Sequence, residues 1–371
     1  MKYVCLTIIS LLLLQIANAQ LQEQYSSDQH FASWYNKAER SYHFKGNKQD
    51  DFIQWRKLAK KQLKQRLGLL LLESSLPKYR PAAKLQSIEY LQDFQRQHWV
   101  VWTEPTVPLP VIVLVPKTAN QRLPLVVTPH GHGRSTVDYA GIYTDSVQRE
   151  YVESTDRNIA VQAVREGYIA IVPTTRGFGA TRASVDIPRD KPFSCRIQLM
   201  HDLLIGRTPI GDRVWDISRV LDWALQEFSI DTAKIAITGN SAGGTTSLFA
   251  AAVDERIKVA APSAYFTIFT ESIGTIEHCD CNYIPGILQD FECSDIAGLI
   301  APRHVYMING VEDEIYPIES ARKAFQHLKQ IYRAAGVEKN ALLYEGQGGH
   351  RYYKEGIWPY LRTVFNRSRL P

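Results

Sequence analysis

The spacing of hydrophobic residues changes near residue 86. Before this point, aromatic residues and leucines recur every three or four positions from Phe31 to Leu72, which is typical of amphipathic helices. Pro77 and Pro81 then interrupt the pattern. After residue 86, short apolar segments alternate with helical segments up to the end of the chain. The alternation predicts an α/β fold, in which a helical extension precedes a mostly parallel, doubly wound sheet.

The same pattern places the individual elements. Two antiparallel strands come first, at 97–102 and 111–115, with a proline-rich turn between them. Because active sites of doubly wound sheets lie at the carboxyl ends of the strands, chemistry is expected in the segments that follow strands. The other predicted strands are 125–128, 169–173, 235–238, 259–261, 304–308 and 341–344, and the predicted helices are 157–166, 212–228, 245–253, 318–335 and 352–365.

The first 19 residues have the pattern of a secretory signal peptide. A basic start at Lys2 is followed by an apolar run at 4–16 and by a small-residue cleavage site that ends at Ala19. The apolar run is shorter than the roughly 20 residues that a transmembrane helix needs. We therefore expect a secreted or periplasmic protein without stable membrane insertion. Its predicted parts are a signal peptide at 1–19, a helical extension at 20–85 and an α/β domain at 86–371.

Composition and charge indicate an ordinary globular protein. Hydrophobic residues make up 45% of the chain and charged residues 22%. Removing Lys2 with the signal peptide leaves 42 Lys and Arg residues against 38 Asp and Glu residues. The basic residues between Arg56 and Arg66 lie at helical spacing among leucines, which indicates a solvated helix face. We therefore expect no nucleic-acid partner, and the oligomeric state stays open.

Four cysteines follow the predicted signal peptide: Cys195, Cys279, Cys281 and Cys293. An even number in an exported chain favours disulfides. Because Cys279 and Cys281 are too close in sequence to pair easily with each other, two bridges that involve Cys195 and Cys293 are expected, with the pairing open. A zinc site is disfavoured because C-x-C lacks the usual C-x-x-C spacing. Reduced thiols stay possible in a compartment that is not oxidising.

One motif points to a nucleophile. The sequence Gly-Asn-Ser-Ala-Gly at 239–243 has the form G-x-S-x-G and lies between a predicted strand and a predicted helix. Such a turn holds its serine above the sheet at a helix N-terminus, where developing negative charge is favoured. The alternatives are a glycine-rich turn without a catalytic role and a phosphate loop, which would need a Lys-Ser/Thr pair after the glycines. We predict that Ser241 is the nucleophile.

A serine nucleophile needs a general base that is oriented by a carboxylate. In this type of fold the acid and then the histidine follow the serine along the chain. His350 lies in a glycine-rich loop after the last predicted strand and is the predicted base. The other three histidines after Ser241 are less suitable, because His304 and His327 fall inside regular elements and His278 lies in a cysteine-rich insertion.

The predicted acid is Asp313. It follows the strand predicted at 304–308, so it would lie at the same edge of the sheet as Ser241. Glu312 and Glu314 are neighbours that could take the role instead, and a solvated acidic loop is the alternative to any catalytic role.

Acyl transfer also requires two hydrogen-bond donors for the oxyanion. The backbone N–H of Ala242, directly after the nucleophile, is one candidate. The other is the N–H of His132 in the loop Pro-His-Gly-His-Gly at 129–133, which follows a predicted strand. A metal site on His130 and His132 is the alternative for this loop, but no third ligand follows at a suitable spacing.

These motifs together resemble the acetyl xylan esterase and cephalosporin-deacetylase-like branch of the α/β-hydrolases, from about residue 125 to the C-terminus. The resemblance implies an α/β-hydrolase fold and hydrolysis of an ester, often an acetyl group on a polysaccharide, without a metal or an organic cofactor. It also implies the roles given above to Ser241, Asp313, His350, His132 and Ala242. Further matching segments are HGHG at 130–133, TRGFG at 175–179, GDRVWD at 211–216, IDTAKI at 230–235, DERI at 254–257 and CDCNYIPG at 279–286.

The resemblance leaves the substrate open, since the N-terminus and the cysteine-rich insertion depart from the closest esterases. Arg176 occupies an R-G motif of this branch and would contact substrate or form a structural salt bridge. One rival function is a serine peptidase of the prolyl-oligopeptidase type, although about 100 residues before the first strands cannot build a β-propeller. The other rival is a catalytically inactive hydrolase fold that binds carbohydrate.

Overall fold

The computed structural model describes residues 26–117, 121–133 and 136–366. The signal peptide predicted at 1–19 lies outside these residues. In the part of the chain that is described, no helix has both the length and the apolar character needed to cross a membrane.

The regular elements follow the order in which the sequence alternates. The strands are β1 (Ala83–Tyr90), β2 (Phe94–Glu104), β3 (Val107–Pro116), β4 (Leu123–Val127), β5 (Ile169–Pro173), β6 (Ile230–Asn240), β7 (Val259–Ser263), β8 (His304–Gly310) and β9 (Ala341–Gly346). The α-helices are α1 (Ser27–Lys37), α2 (Gln49–Arg66), α3 (Leu69–Ser75), α4 (Thr136–Tyr139), α5 (Ser146–Ser154), α6 (Ile159–Arg165), α7 (Cys195–Leu204), α8 (Pro209–Glu227), α9 (Ala242–Val253), α10 (Ile287–Asp290), α11 (Cys293–Gly298), α12 (Ile318–Ala334) and α13 (Lys354–Val364).

The chain divides into two compact units, residues 1–38 and residues 39–371. In the first unit, α1 begins after Ser26, whose hydroxyl accepts a hydrogen bond from the N–H of Gln29 and so satisfies a free donor of the first turn. The second unit contains all the other elements, including α2 and α3.

The strands form one nine-stranded sheet in the order β1-β2-β3-β5-β4-β6-β7-β8-β9. The first three strands are antiparallel, as is the pairing of β3 with β5. All pairings from β5 across to β9 are parallel. The mostly parallel sheet predicted from the sequence is confirmed, and β6 lies near its centre.

Both faces of the sheet are covered. On β6, Ile235 and Ile237 belong to one hydrophobic cluster, while Ala236 between them belongs to the cluster on the opposite face. Successive strand residues point to opposite faces, so a strand buried on both sides reads as a continuous apolar run. Helices α8, α9 and α12 contribute to the first cluster, and α6 and α13 to the second.

The helices before the sheet contribute to the same core. Helix α2 buries Phe52, Ala59 and Leu63, which recur at helical spacing on one face and belong to the first hydrophobic cluster. Leu69 and Leu72 of α3 belong to it as well. Residues 39–75 are therefore part of the compact unit that holds the sheet.

Strand β1 was not predicted. It is an edge strand whose eight residues are all exposed or half-buried. Apolar and polar residues alternate in residues 83–86 and again in residues 87–90, but the pairing with β2 shifts register between Leu85 and Ser87, which interrupts the alternation. Helices α4, α5, α7, α10 and α11 were also missed.

Candidate active site

Ser241 lies at the tip of a sharp turn between β6 and α9. Its backbone has a positive φ of 58° with ψ −121°, a sparsely populated conformation that costs a non-glycine residue roughly 1–3 kcal/mol. Its N–H donates to the carbonyl of Ser263 on the neighbouring strand β7 (2.9 Å), and its carbonyl accepts from the N–H of Thr245 (2.9 Å). The surrounding structure thus holds the residue in a conformation that local sequence disfavours.

The turn is close to the loop that follows β4. A Cβ atom on Gly243 would lie 2.1 Å from the carbonyl oxygen of Pro129, and one on Gly239 would lie 2.2 Å from the same atom. The glycines of the motif are therefore required by close approach of backbone to backbone.

We expect Gly243→Ala to destabilise the protein by about 3 kcal/mol or more, because the added methyl group meets backbone that cannot rotate away. Urea unfolding would measure the effect. Gly336→Ala is the matched control: Gly336 has a positive φ of 76° but open space around it, so only conformational strain of about 1–2 kcal/mol is expected. Equal losses in the two variants would contradict the steric explanation.

An aspartate and a histidine form a pair beside the turn. Asp313 Oδ2 lies 2.8 Å from His350 Nδ1, and the Asp313 side chain is fully buried. Its other oxygen, Oδ1, accepts hydrogen bonds from the N–H groups of Ile315 (2.9 Å) and Tyr316 (3.0 Å). These bonds fix the carboxylate, which in turn fixes the imidazole ring.

The neighbouring carboxylates do not share this environment. Glu312 and Glu314 are exposed, whereas Asp313 between them is buried. The loop after β8 thus turns only Asp313 towards His350, which selects one member of the acidic triplet on geometric grounds.

Ser241 and His350 line the same cavity, which has a volume of about 450 Å³. The His350 side chain is 24% exposed, and its ring stacks against that of Tyr316 at a centroid distance of 5.8 Å. Gly131 and His132 from the loop after β4 line the cavity as well. The serine, the imidazole and the predicted oxyanion loop therefore share one space.

The loop after β4 lies directly against the Ser241 turn. A Cβ on Gly131 would lie 2.6 Å from the carbonyl oxygen of Asn240 and 3.4 Å from Ser241 Cβ. On the other side of the turn, Ala242 is buried as the first residue of α9. The two predicted oxyanion donors, on His132 and Ala242, thus belong to segments that flank Ser241.

His130 holds this loop from inside the protein. Its Nε2 accepts a hydrogen bond from the N–H of Thr175 (2.9 Å), so its Nδ1 donates to the carbonyl of Gly131 (2.8 Å). Complete burial lowers the pKa of His130 to about 3, which keeps the ring neutral. Since both ring nitrogens are occupied, His130 is structural, and the alternative of a metal site on His130 and His132 is wrong.

Two family models match overlapping parts of the chain. The model of the X-Pro dipeptidyl-peptidase (S15) family matches residues 106–273, and that of the prolyl oligopeptidase family matches residues 209–360. Both matches include Ser241, and the second also includes the loops of Asp313 and His350. The chain belongs to the α/β-hydrolase superfamily.

Known proteins similar to this α/β-hydrolase include "Putative hydrolase YtaP" of Bacillus subtilis, which is 26% identical over 77% of this chain and 92% of its own length. The 4-O-methyl-glucuronoyl methylesterase 1 of Wolfiporia cocos is 26% identical over 50% of this chain and 53% of its own length. Among solved structures, a "putative acetyl xylan esterase" from Bacteroides fragilis has a TM-score of 0.77, with 16% identity, over 94% of this chain and 97% of its own.

The other histidines of the hydrolase that follow Ser241 have structural contacts. His304 Nδ1 lies 3.3 Å from the hydroxyl of Tyr360, and His327 Nδ1 lies 2.8 Å from the hydroxyl of Ser294. His278 Nε2 lies 3.0 Å from the hydroxyl of Ser272, and burial lowers the pKa of its ring. None of the three lines the cavity of Ser241.

Arg176 is held by carboxylates away from this cavity. Its guanidinium forms ion pairs with Asp216 (2.6 Å), Asp212 (3.0 Å) and Glu104 (2.6 Å), and its side chain is 11% exposed. Burial alone would lower the pKa of Arg176, but these three carboxylates raise it. Arg176 does not line the cavity, so of its two interpretations we retain the structural salt bridge.

The four cysteines form no disulfide, so the two expected bridges are a wrong prediction. The physical reason is their distribution. Cys195, Cys279 and Cys281 converge at one place, next to His132, whereas Cys293 is buried in the main hydrophobic core. Three cysteines in one cluster and one in another cannot form two bridges.

Two arginines of the cavity were not predicted. Arg157 precedes α6, and Arg351 directly follows His350; both line the cavity. Arg351 pairs with Asp156 (3.4 Å) and Glu355 (3.3 Å), while the guanidinium of Arg157 lies 5.1 Å from the ring centroid of Tyr151. Nothing in the spacing of either residue distinguishes it from an ordinary surface arginine, so the sequence alone offered no signal.

Proposed function

We propose that this α/β-hydrolase is a serine carboxylic-ester hydrolase in which Ser241 is the nucleophile, His350 the general base and Asp313 the acid. One observation carries the proposal: Ser241, on its strained turn, lines the same cavity as His350, and the buried Asp313 contacts His350 from behind. The order of the three residues along the chain and the contact between Asp313 and His350 support a Ser-Asp-His triad.

The proposed reaction has two steps through an acyl-enzyme. His350 Nε2 takes the hydroxyl proton while Ser241 Oγ attacks the ester carbonyl, and the N–H groups of His132 and Ala242 stabilise the oxyanion. Collapse of the tetrahedral intermediate breaks the ester bond, and His350 returns the proton to the leaving alcohol. Water, deprotonated by His350, then attacks the acyl group and releases the carboxylic acid and free Ser241.

The proposed substrate is a carbohydrate ester, such as an acetylated polysaccharide or a methyl ester of a uronic acid. The cavity has the polar and charged groups that hydroxyl-rich molecules need, including Tyr139, Thr155, Arg157 and Arg351. The names of the similar esterases support the same substrate class. Purified protein should be tested against acetylated xylan, methyl glucuronate esters, feruloyl esters and simple acyl esters. If it cleaves none of them, the proposal is contradicted.

We expect Arg157→Met to raise KM about tenfold for a sugar ester that has a carboxylate or a dense set of hydroxyls, because it removes a charged hydrogen-bond donor from the cavity. The KM for a small acetyl ester should change little. Steady-state kinetics on both substrates would check this. Arg149→Met is the matched control, since Arg149 is an exposed residue of α5 that pairs with Glu153 outside the cavity. An equal effect on both substrates would argue against a role in substrate recognition.

A serine peptidase is the second candidate, and the two family models favour it. The charges of the cavity speak against it. A dipeptidyl-peptidase has to bind the ammonium group of a free N-terminus, yet the described residues that line this cavity include two arginines and a single carboxylate, Asp138, which accepts a hydrogen bond from Gln148. Release of amines from X-Pro peptides at a kcat/KM above that for esters would favour the peptidase.

A catalytically inactive, carbohydrate-binding protein is the third possibility. Covalent labelling separates it from an enzyme, because an organophosphonate reacts with a serine only where a base activates it. Labelling at Ser241 is expected, and an unlabelled protein that still binds polysaccharide would contradict catalysis.

We also propose that the protein is exported. The support is the sequence of residues 1–19, with its basic start, apolar run and small-residue end. N-terminal sequencing of the protein from cell fractions is expected to find Gln20 as the first residue in the periplasm or medium; an uncleaved Met1 in the cytosol would contradict export.

A further inference from the structure

Four potential metal ligands from three separate segments meet beside the active site. They are His132 from the loop after β4, Cys195 at the start of α7, and Cys279 and Cys281 from the insertion after β7. Their ligand atoms all lie within 4.8 Å of one another. We propose that these four residues bind one zinc ion, and that the ion holds the His132 loop in place against Ser241.

The spacing of the cluster fits a tetrahedral site. With Zn–S at about 2.3 Å and Zn–N at about 2.05 Å, tetrahedral ligands lie about 3.8 Å apart for two sulfurs and about 3.6 Å for a sulfur and a nitrogen. The Sγ atoms of Cys279 and Cys281 are 3.5 Å apart, and Cys195 Sγ lies 3.8 Å from His132 Nε2. A disulfide would need two sulfurs at about 2.05 Å and would leave the third cysteine and the histidine without a role.

The charge around the cluster also fits the ion. Three thiolates, a neutral imidazole and Zn²⁺ have a net charge of −1. Arg213 is 2% exposed, and its Nη2 lies 3.7 Å from Cys195 Sγ. Among the described residues, its Nε and Nη1 have no hydrogen-bond partner. A buried guanidinium without a carboxylate partner is costly, and an adjacent anionic zinc–thiolate centre would compensate its charge.

Aromatic rings pack against the cluster. The ring of His132 packs edge-on against Phe178 (5.2 Å between centroids) and Phe193 (4.8 Å). Phe178, Cys195 and Cys281 form a small hydrophobic cluster of their own, against which Phe193 and Cys279 pack. Four protein ligands in such an environment leave no position for substrate, which is typical of a structural zinc site.

The site would couple two parts of the active centre. His132 follows Gly131, whose backbone lies against Asn240 and Ser241. On the opposite side of the cluster, Asn282 next to Cys281 accepts a hydrogen bond from the hydroxyl of Thr245 on the nucleophile helix α9 (3.2 Å). Zinc would thus fix the oxyanion loop relative to the helix that begins after Ser241. This metal site differs from the expectation drawn from the C-x-C spacing, which disfavoured zinc. The spacing of Cys279 and Cys281 alone does not show that Cys195 and His132 complete a set of four ligands.

Metal analysis tests the site without reference to hydrolysis. Protein that lacks only the predicted signal peptide, and with it Cys5, is expected to contain about one zinc per chain when it is purified without chelators, and four alkylatable thiols after denaturation with a chelator. Replacement by Co²⁺ should give thiolate-to-cobalt charge-transfer absorption. The proposal would be overturned if the wild-type protein binds neither Zn²⁺ nor Co²⁺. A mapped disulfide between any two of Cys195, Cys279 and Cys281 would also overturn it.

Variants locate the site and its effect. Cys281→Ser and His132→Gln should lose the zinc, whereas Cys293→Ala, at a buried cysteine outside the cluster, should keep it. Removal of zinc from the wild type should lower kcat for an acetyl ester about 100-fold, as for the loss of one oxyanion donor. This last step rests on the proposed function. Zinc binding without any ester hydrolysis would contradict the hydrolase proposal alone, and unchanged kcat after zinc removal would overturn the role given to the ion.

Discussion

Ser241→Ala is expected to lower kcat for a small acetyl ester by about 10⁵- to 10⁶-fold, because it removes the only atom that can form the acyl-enzyme. The fold should survive. The turn is held by main-chain bonds, from Ser241 N–H to Ser263 and from Thr245 N–H to Ser241, which alanine can also make. Alanine at the same φ has about the same strain as serine, so the free energy of unfolding should change by less than about 1 kcal/mol.

The measurement is a progress curve with high enzyme concentration, combined with urea unfolding of the same sample. Ser74→Ala is the control, since Ser74 lies exposed on α3 and does not line the cavity. An organophosphonate should add its mass to wild type and to Ser74→Ala but not to Ser241→Ala. Retention of more than a few percent of wild-type kcat in Ser241→Ala would remove Ser241 from the mechanism.

The central sheet was predictable because burial on both faces leaves a simple mark in the sequence. Strands such as β6 read as apolar runs, and helices such as α12 repeat their apolar residues at helical spacing. The turn at Ser241 was predictable because the G-x-S-x-G motif between a strand and a helix marks it in the sequence. The contact that requires its glycines, with the carbonyl of Pro129, comes from a distant segment and was not predicted.

The parts that were missed depend on contacts between distant segments. Cys195 and Cys279 are 84 positions apart, and only the packing of α7 against the insertion after β7 brings them together next to His132. The ion pairs of Arg176 likewise join β2, α8 and the loop after β5. Sequence spacing does not predict such contacts, because the segment between two contacting residues can have almost any length.

Asp313→Asn is expected to lower kcat by about 10⁴-fold through the tautomer of His350. Asp313 Oδ1 accepts from the N–H groups of Ile315 and Tyr316, so the amide oxygen of asparagine would take that position. The amide NH₂ would then replace Oδ2 and donate to His350 Nδ1. A ring that accepts at Nδ1 has its proton on Nε2, and such a ring cannot take the proton of Ser241.

Glu312→Gln and Glu314→Gln are the matched controls, because they make the same chemical change at the two exposed neighbours. Each should keep kcat within about twofold of wild type at neutral pH. Binding of a non-hydrolysable substrate analogue should be equal in all three variants, since the change at Asp313 affects proton transfer and not the cavity wall. A low kcat in Glu312→Gln or Glu314→Gln, together with an active Asp313→Asn, would move the acid to that neighbour. If all three variants are active, no single one of these carboxylates is required by His350, and the role proposed for Asp313 has to be withdrawn.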